Sequence, residues 1–492
     1  MQTIDLIIFF VVLLSIVVFG ASFYTKNRSS DDFSTGSGKL PAWLLGLSIF
    51  ATYLSSISYL ALPGIAFASN WNAFTLSLTI PFALVIAVKF FLPLYRSIGS
   101  TSAYAYLEQR FGIWARMYVA SCYLLTQIMR TATILYLLAL PLYVLLNWDI
   151  RLIILLTGLA VLIFSNLGGI KAVVWTDALQ SLIMIGGALF ALGFLVFSLP
   201  GGISQYIEIG KEYNKFSLGS FGGSLSESTF WVVFIYGLFI NLQNYGIDQN
   251  YVQRYIIAKN HKEAVSTLLG GGLLYIPASL IFFLIGTGLF VYFHVFPDLL
   301  PAAYGEPGMS DRVFPYFIVH IMPVGLTGLL VAAIIAAGMS TISTSLNSGS
   351  TVFLLDFYKR IKKTVNEKES SRVLYISSTM IILFGVLIAF LFIKVESILS
   401  LWWSLSGIFS GGMLGLFLLG YFCKKARSLP AVIGVLMGLS VIFWMSLSPI
   451  LFTGALEPFK SPFHSYMTIV FGTMTLFFGG FLITLAISRF KK

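Results

Sequence analysis

Charge is what this chain has least of. Of its 492 residues, 10% are Asp, Glu, Lys or Arg, against about 25% in an ordinary soluble domain. A string of soluble domains is therefore excluded. Cysteine is almost absent: Cys122 and Cys423 form no CxxC pair, so neither a disulfide framework nor a cysteine zinc site is indicated. The four histidines, His261, His294, His320 and His464, are scattered without ligand spacing. No nucleophile–base pair or metal cluster stands out, so the chain does not read as an enzyme. Long polar stretches are missing too. The largest segments between apolar runs, residues 200–228 and 294–320, are too short to be domains, and none follows Arg489, which argues against a fused sensor. The net charge of +11 would suggest nucleic acid in a soluble chain. Here the basic residues sit in short loops, where membrane topology explains them and no nucleic-acid partner is implied.

What is present is apolar sequence: 58% hydrophobic and 16% aromatic residues, with a strongly positive mean hydropathy. A membrane span needs about 20 such residues. On that measure the chain predicts an all-α polytopic membrane protein with thirteen spans, at about 4–23, 41–67, 73–95, 114–145, 149–167, 172–199, 229–246, 264–293, 321–357, 371–393, 397–422, 428–452 and 464–488. The first run lacks a basic leader and a small-residue cleavage site, so it reads as a span and not as a removed signal. Alternate loops collect most of the Lys and Arg, for example Lys359, Arg360, Lys362, Lys424, Lys425 and Arg427. That side is expected to be cytoplasmic, with the N-terminus outside and the C-terminus inside. The lipid bilayer is the implied surrounding, and no obligate protein partner is evident.

Against this background the polar residues inside spans are conspicuous. Residues 336–350 carry eight hydroxyl or amide side chains. Ser340, Ser343, Thr344 and Asn347 recur at i, i+3, i+4 and i+7, one face of a helix, with Thr341, Ser345 and Ser348 beside them. Such neutral oxygens suit a hard, weakly held cation and not a soft metal; close helix packing through small polar residues is the other reading. Two spans are expected to be broken. The second has Ser55, Ser56 and Ser58 ahead of Pro63-Gly64, and the seventh ends in residues 241–246, N-L-Q-N-Y-G. Broken helices five spans apart point to an inverted-repeat transporter with its site between the repeats. The expected division is residues 1–40 (an extra helix and loop), 41–199 and 200–422 (the two five-helix repeats) and 423–492 (two further helices). Arg130 falls near mid-membrane, where an arginine is costly and faces a cavity or partner. Its planar fork suits a carboxylate, and the helix ends at Ser55 and Ser58 favour an anion. Together they predict a pocket for an acidic solute. Lys89 and Arg116 are read as able to reach an interface. Asp177 is placed a turn or two past the loop at 168–171, and Asp248, Gln249, Gln253 and Arg254 in a cytoplasmic loop.

Four stretches in order, T-S-A-Y-A-Y-L-E-Q-R-F-G (101–112), G-G-I-K-A-V-V-W-T-D-A-L-Q (168–180), Y-G-I-D-Q-N-Y-V-Q-R (245–254) and the segment 336–350, resemble the sodium:solute symporter family. Within it the chain is most similar to the bacterial sialic acid symporters. The resemblance implies the leucine-transporter fold and sodium-coupled import of an acidic sugar by alternating access, with one or two sodium ions as co-transported partners. By matching, one sodium site comprises the carbonyls of Ala51, Leu54 and Ala337 with the hydroxyls of Ser340 and Thr341. A second comprises Asp177, Ser340, Ser343 and Thr344. The substrate residues implied are Ser55, Ser58, Ser77, Arg130 and Asn244, with Phe239 and Tyr245 as gates. Ser77 departs from the family, in which a glutamine is expected on that helix. Proline, pantothenate or a neutral sugar is the alternative cargo. A channel is a different class, for which an occluded mid-membrane pocket is unsuited.

Overall fold

A computed structural model of the chain describes residues 2–23, 29–36, 40–146, 148–305, 309–362, 364–393 and 398–490. The described residues form helices and turns, with no strand among them. The principal helices are α1 (Thr3–Ala21), α2 (Ala42–Tyr53), α3 (Ser56–Ala68), α4 (Asn72–Ile98), α5 (Ile113–Leu146), α6 (Ile150–Phe197), α7 (Phe230–Ile247), α8 (Gln249–Ile256), α9 (His261–Val295), α10 (Leu326–Val352), α11 (Glu367–Phe392), α12 (Ile398–Phe422), α13 (Ser428–Leu451) and α14 (Met467–Phe490). Among the described residues ten helices are long and apolar enough to cross a membrane, and α2 with α3 forms one further span bent by 54°. Shorter apolar helices, Ile150–Ile163 and Ser406–Phe422, occupy the two remaining expected positions.

The breaks have local causes. α2 stops at Leu54, whose ψ of 89° is outside the helical range, and Ser55 restarts the chain in an extended conformation as the N-cap of α3. Serine side chains compete for backbone groups and favour such caps over helix interiors. The ladder ends at Leu54 N–H to Phe50 carbonyl, which leaves the carbonyls of Ala51 and Leu54 outside it. α6 joins the fifth and sixth expected spans through a kink at Gly169 (φ 55°, ψ −160°), a conformation open to glycine because it has no Cβ. The seventh span differs from expectation. α7 runs unbroken through Asn241–Gly246 to Ile247, and the chain turns at Asp248 (φ −74°, ψ 122°), whose side chain accepts from the Asn250 amide. The polar run 241–246 is therefore intact helix, and the interruption, at Asp248, lies two residues beyond it.

α10 is the central post. Its most apolar window is 89% buried, as expected of a helix surrounded on all sides. Small residues let neighbours approach: a Cβ on Gly338 would meet Leu138 of α5 at 2.4 Å. α1 is locked to its start. Asp5 Oδ1 accepts the amides of Gly325 at 2.7 Å and Gly328 at 3.2 Å, capping the positive end of the α10 dipole with a carboxylate. A Cβ at Gly328 would lie 2.2 Å from the Asp5 carbonyl oxygen. That neighbour is backbone and cannot rotate away, so Gly328→Leu should cost at least the roughly 1–3 kcal/mol of overpacking. Thermal unfolding in detergent should show a lowered midpoint; an unchanged midpoint would mean that α1 is not docked here.

A short turn, Ser310–Arg312, lies on α3. A Cβ at Gly64 would meet Asp311 Oδ1 and the Ser310 carbonyl oxygen, both at 2.9 Å. Burial pushes the Asp311 carboxyl up to about 6, partly offset by Arg312. The folded chain thus holds this proton more tightly than the unfolded chain does. Its stabilising contribution is complete below the ordinary value of 3.8 and is lost as pH rises through about 6. The protection factor for hydrogen exchange over 309–320, with the intrinsic pH dependence of exchange divided out, should therefore rise when pH falls from about 7.5 to about 5, and Asp311→Asn should remove most of that rise.

Candidate functional site

The break between α2 and α3 opens into a cavity of about 170 Å³. Ser55 and Ser58 line it from the break, Ser77 from α4, Arg130 from α5, Asn244 from α7, and Ser406 from α12. Five of the sequence-predicted residues thus meet in one place. Arg130 Nη2 donates to the Thr52 carbonyl at 2.9 Å. This satisfies one backbone group freed by the break, which hydrocarbon would otherwise leave unpaired. Asp248 and Tyr251 lie beside the guanidinium on the same wall. Ser58 Oγ is 3.3 Å from the Tyr275 hydroxyl, and Ser77 donates to Ser279 Oγ at 2.8 Å. The pocket combines one fixed cation, several hydroxyls and aromatic faces, a set suited to a polyhydroxylated anion.

Below the break lies a second polar cluster, fully enclosed. Asp177 Oδ1 accepts from Ser340 Oγ at 2.5 Å, and its Oδ2 accepts from Ser48 Oγ. Arg254 Nη2 stands 3.6 Å from the same carboxylate and donates to Thr344 Oγ1 at 2.7 Å, while its Nε donates to Ser48 Oγ at 2.7 Å. Thr52 Oγ1 is 3.5 Å from Thr344 Oγ1. Ser343 donates to the Ser340 carbonyl at 2.9 Å and Thr341 to the Ala337 carbonyl at 3.1 Å. Ser340 therefore joins the two candidate ion sites, with Asp177 on one side and Thr341 on the other. Among the described residues Ser56 Oγ and the Gln180 amide are buried with no hydrogen-bond partner, and no cluster of three His, Cys, Asp or Glu could hold a metal. Oxygen-rich and low in charge, the donor set fits sodium as cargo and not a resident transition metal.

Residues 33–438 match the sodium:solute symporter family. The chain belongs to that family. The sodium/sialic acid symporter SiaT of Proteus mirabilis is 35% identical over 437 residues, 87% of each chain. The sodium/sialic acid symporter NanT of Aliivibrio fischeri is 33% identical over 450 residues, 90% of this chain and 88% of that one. A substrate-bound, outward-open Na⁺-coupled sialic acid symporter superposes with a TM-score of 0.90 at 32% identity, covering 99% of this chain and 98% of the other. The leucine-transporter fold expected from the motifs is therefore the fold of this symporter.

Several expectations about this symporter need correction. Residues 248–254 are not a cytoplasmic loop. Gln249 to Tyr255 form the buried helix α8, and Arg254 is 1% exposed. Its guanidinium stands beside the Asp177 carboxylate. Arg116 does not reach an interface: it is buried and bonded to Asp356 and, at 2.7 Å, to Glu108. The expected gates do not line the pocket. Phe239 packs between helices, and Tyr245 stacks behind Tyr53 with centroids 5.7 Å apart. Asn241 ties α7 to α4 through the Leu76 carbonyl and Thr79 Oγ1, each at 2.9 Å. Trp402 and Trp403, which from sequence read as interfacial anchors or parts of an external gate, have side chains outside the described residues. Sequence reasoning missed Tyr53, Tyr236, Tyr251 and Tyr275 as pocket walls and Ser48 and Arg254 as partners of Asp177. Tyr251 and Arg254 lie within the motif 245–254, but the polarity of Q-N-Y-V-Q-R hides a helix that is buried because its partners are polar.

Proposed function

We propose that this protein is a sodium-coupled symporter of sialic acid, importing an N-acetylneuraminate-like acidic sugar by alternating access across a bacterial cell membrane. The observation that carries the substrate class is Arg130 at the helix break, among hydroxyls and aromatic rings in one pocket. The names of the relatives supply the sugar. In the mechanism, the Arg130 fork pairs with the sugar carboxylate, Ser55 and Ser58 supply hydrogen bonds at the break, and Ser77 and Asn244 address the hydroxyl and amide groups. Sodium sits between the α2 carbonyls of Ala51 and Leu54 and the α10 oxygens of Ala337, Ser340 and Thr341. It fixes the break and so pre-forms the sugar site, and the two ligands raise each other's affinity. A second sodium belongs beside Asp177 with Ser340, Ser343 and Thr344. Arg254 pins α8 to α2, α6 and α10 on the far side of the pocket, so inward opening requires those bonds to part. The basic ends face the cytoplasm, with the N-terminus outside and the C-terminus inside.

A binding panel tests the substrate. Calorimetry with N-acetylneuraminate, proline, pantothenate and glucose, each with sodium or potassium, should give heat for the sugar acid in sodium only. Sodium-dependent binding of pantothenate or proline with none of the sugar acid would overturn the assignment.

A further inference from the structure

The molecule has another cavity, which shares no lining residue with the one at the helix break. It measures about 730 Å³ and lies where the end of α12, the start of α13 and the end of α14 meet the short helix Ala105–Phe111. Its charged lining is entirely cationic. Arg110, Lys424, Lys425 and Arg427 contribute, and no Asp or Glu lines it. Among the described residues none of these four forms an ion pair with a carboxylate. Arg110 is held in place by donating to the carbonyls of Gly420 at 2.9 Å and Cys423 at 3.0 Å. The other three are exposed, so their mutual repulsion is uncompensated within the chain.

Two further features set the chemistry of an occupant. α13, 24 residues long, starts at the cavity wall, and its N-cap Arg427 provides no side-chain cap. Ser428 Oγ, the next hydroxyl, accepts instead from Trp114 Nε1 at 2.6 Å. The positive end of that helix dipole thus adds to the four cations. Beside the charges lie apolar side chains: Leu429 and Ile487 line the cavity, and Leu429 is 61% exposed. All three principal helices at the cavity end here, at a boundary between apolar span and polar loop. An anionic group with hydrocarbon attached satisfies both halves of the lining, and basic pockets between spans suit acidic lipid headgroups.

We infer that this cavity is a binding site for the phosphate headgroup of an anionic phospholipid, with the acyl chains lying along α13 and α14. Three arms distinguish lipid from free anion: full-length protein in phosphatidylcholine vesicles, in phosphatidylcholine–phosphatidylglycerol vesicles, and in neutral detergent with inorganic phosphate. Thermal midpoint and phosphatidylglycerol retained after delipidation, read by native mass spectrometry, are compared with those of K424Q/K425Q/R427Q. The expected result is a midpoint raised by phosphatidylglycerol for the wild type alone, and retention at least about tenfold lower in the variant, which lacks three of the cations that attract an acidic headgroup. An unchanged variant midpoint in phosphatidylcholine shows that it folds; if it falls there, K425Q alone is read for retention. Equal retention by wild type and variant overturns the inference, and so does a shift produced by inorganic phosphate but not by phosphatidylglycerol.

Discussion

Replacing Arg130 with alanine is expected to abolish sodium-driven uptake of the acidic sugar. The guanidinium is the fixed cation at the helix break and has donors to spare after its bond to the Thr52 carbonyl. Truncating one partner of a buried, hydrogen-bonded charge pair costs about 2–5 kcal/mol, which is roughly 30-fold or more in affinity. Arg130→Lys keeps the charge but loses the planar fork, so it should recover part of the affinity and leave a large defect. Because Arg130 also supports the Thr52 carbonyl, alanine could loosen the break itself. Stabilisation by sodium in the absence of sugar separates these effects. It should persist in Arg130→Lys while sugar affinity falls, and sugar affinity equal to wild type in Arg130→Ala would remove the residue from the site.

The second large effect belongs to Ser340, because both proposed sodium sites draw on it. Its hydroxyl bonds Asp177 at 2.5 Å, and its neighbour Thr341 reaches towards the Ala337 carbonyl. A hydrogen bond to a charged group contributes about 1.5–3 kcal/mol. Ser340→Ala should therefore raise the sodium concentration for half-maximal uptake at least about tenfold and flatten its cooperativity. Thr341→Ala should affect one site and Asp177→Asn the other. Charge balance separates the two. Arg130 and Arg254 lie beside Asp248 and Asp177, so the buried set is neutral overall. One sodium with one sugar carboxylate preserves that neutrality; a second sodium carries one net positive charge inward. Wild-type uptake should accordingly generate a current, and Asp177→Asn should reduce it more than it reduces sugar flux. A Ser340→Ala sodium response identical to wild type would separate the polar face of α10 from ion binding.

Much of this was legible in the sequence because a bilayer leaves few options. Each long apolar run had to be a helix; among the described residues eleven of the expected positions hold helices or a bent pair long enough to cross a membrane, and the other two hold the shorter apolar helices Ile150–Ile163 and Ser406–Phe422. The serines at 55, 56 and 58 marked the break in the second span, whereas Pro63 lies within the helix that follows it, and Arg130 was conspicuous because mid-membrane charge is rare. The expectations that differ from the structure share a physical origin. Polarity at residues 248–254 suggests solvent, yet Gln249, Asn250, Gln253 and Arg254 are buried, with partners that include Thr101, Gln127, Ser34 and Ser48 on other segments. No local pattern announces partners more than a hundred residues away. The aromatic walls were missed for a similar reason: Tyr53, Tyr251 and Tyr275 come from three segments and converge only in the folded chain, Tyr53 and Tyr275 with centroids 4.2 Å apart. Along the sequence each is one tyrosine among 24.

The most direct measurement is uptake of radiolabelled N-acetylneuraminate into proteoliposomes holding the purified protein, with equal total salt on both sides and sodium exchanged for potassium. An inward sodium gradient should drive accumulation above the external concentration, and collapsing that gradient with a sodium ionophore should release the accumulated sugar. Equal uptake with potassium alone, or accumulation that survives collapse of the sodium gradient, would contradict sodium-coupled sialic acid symport.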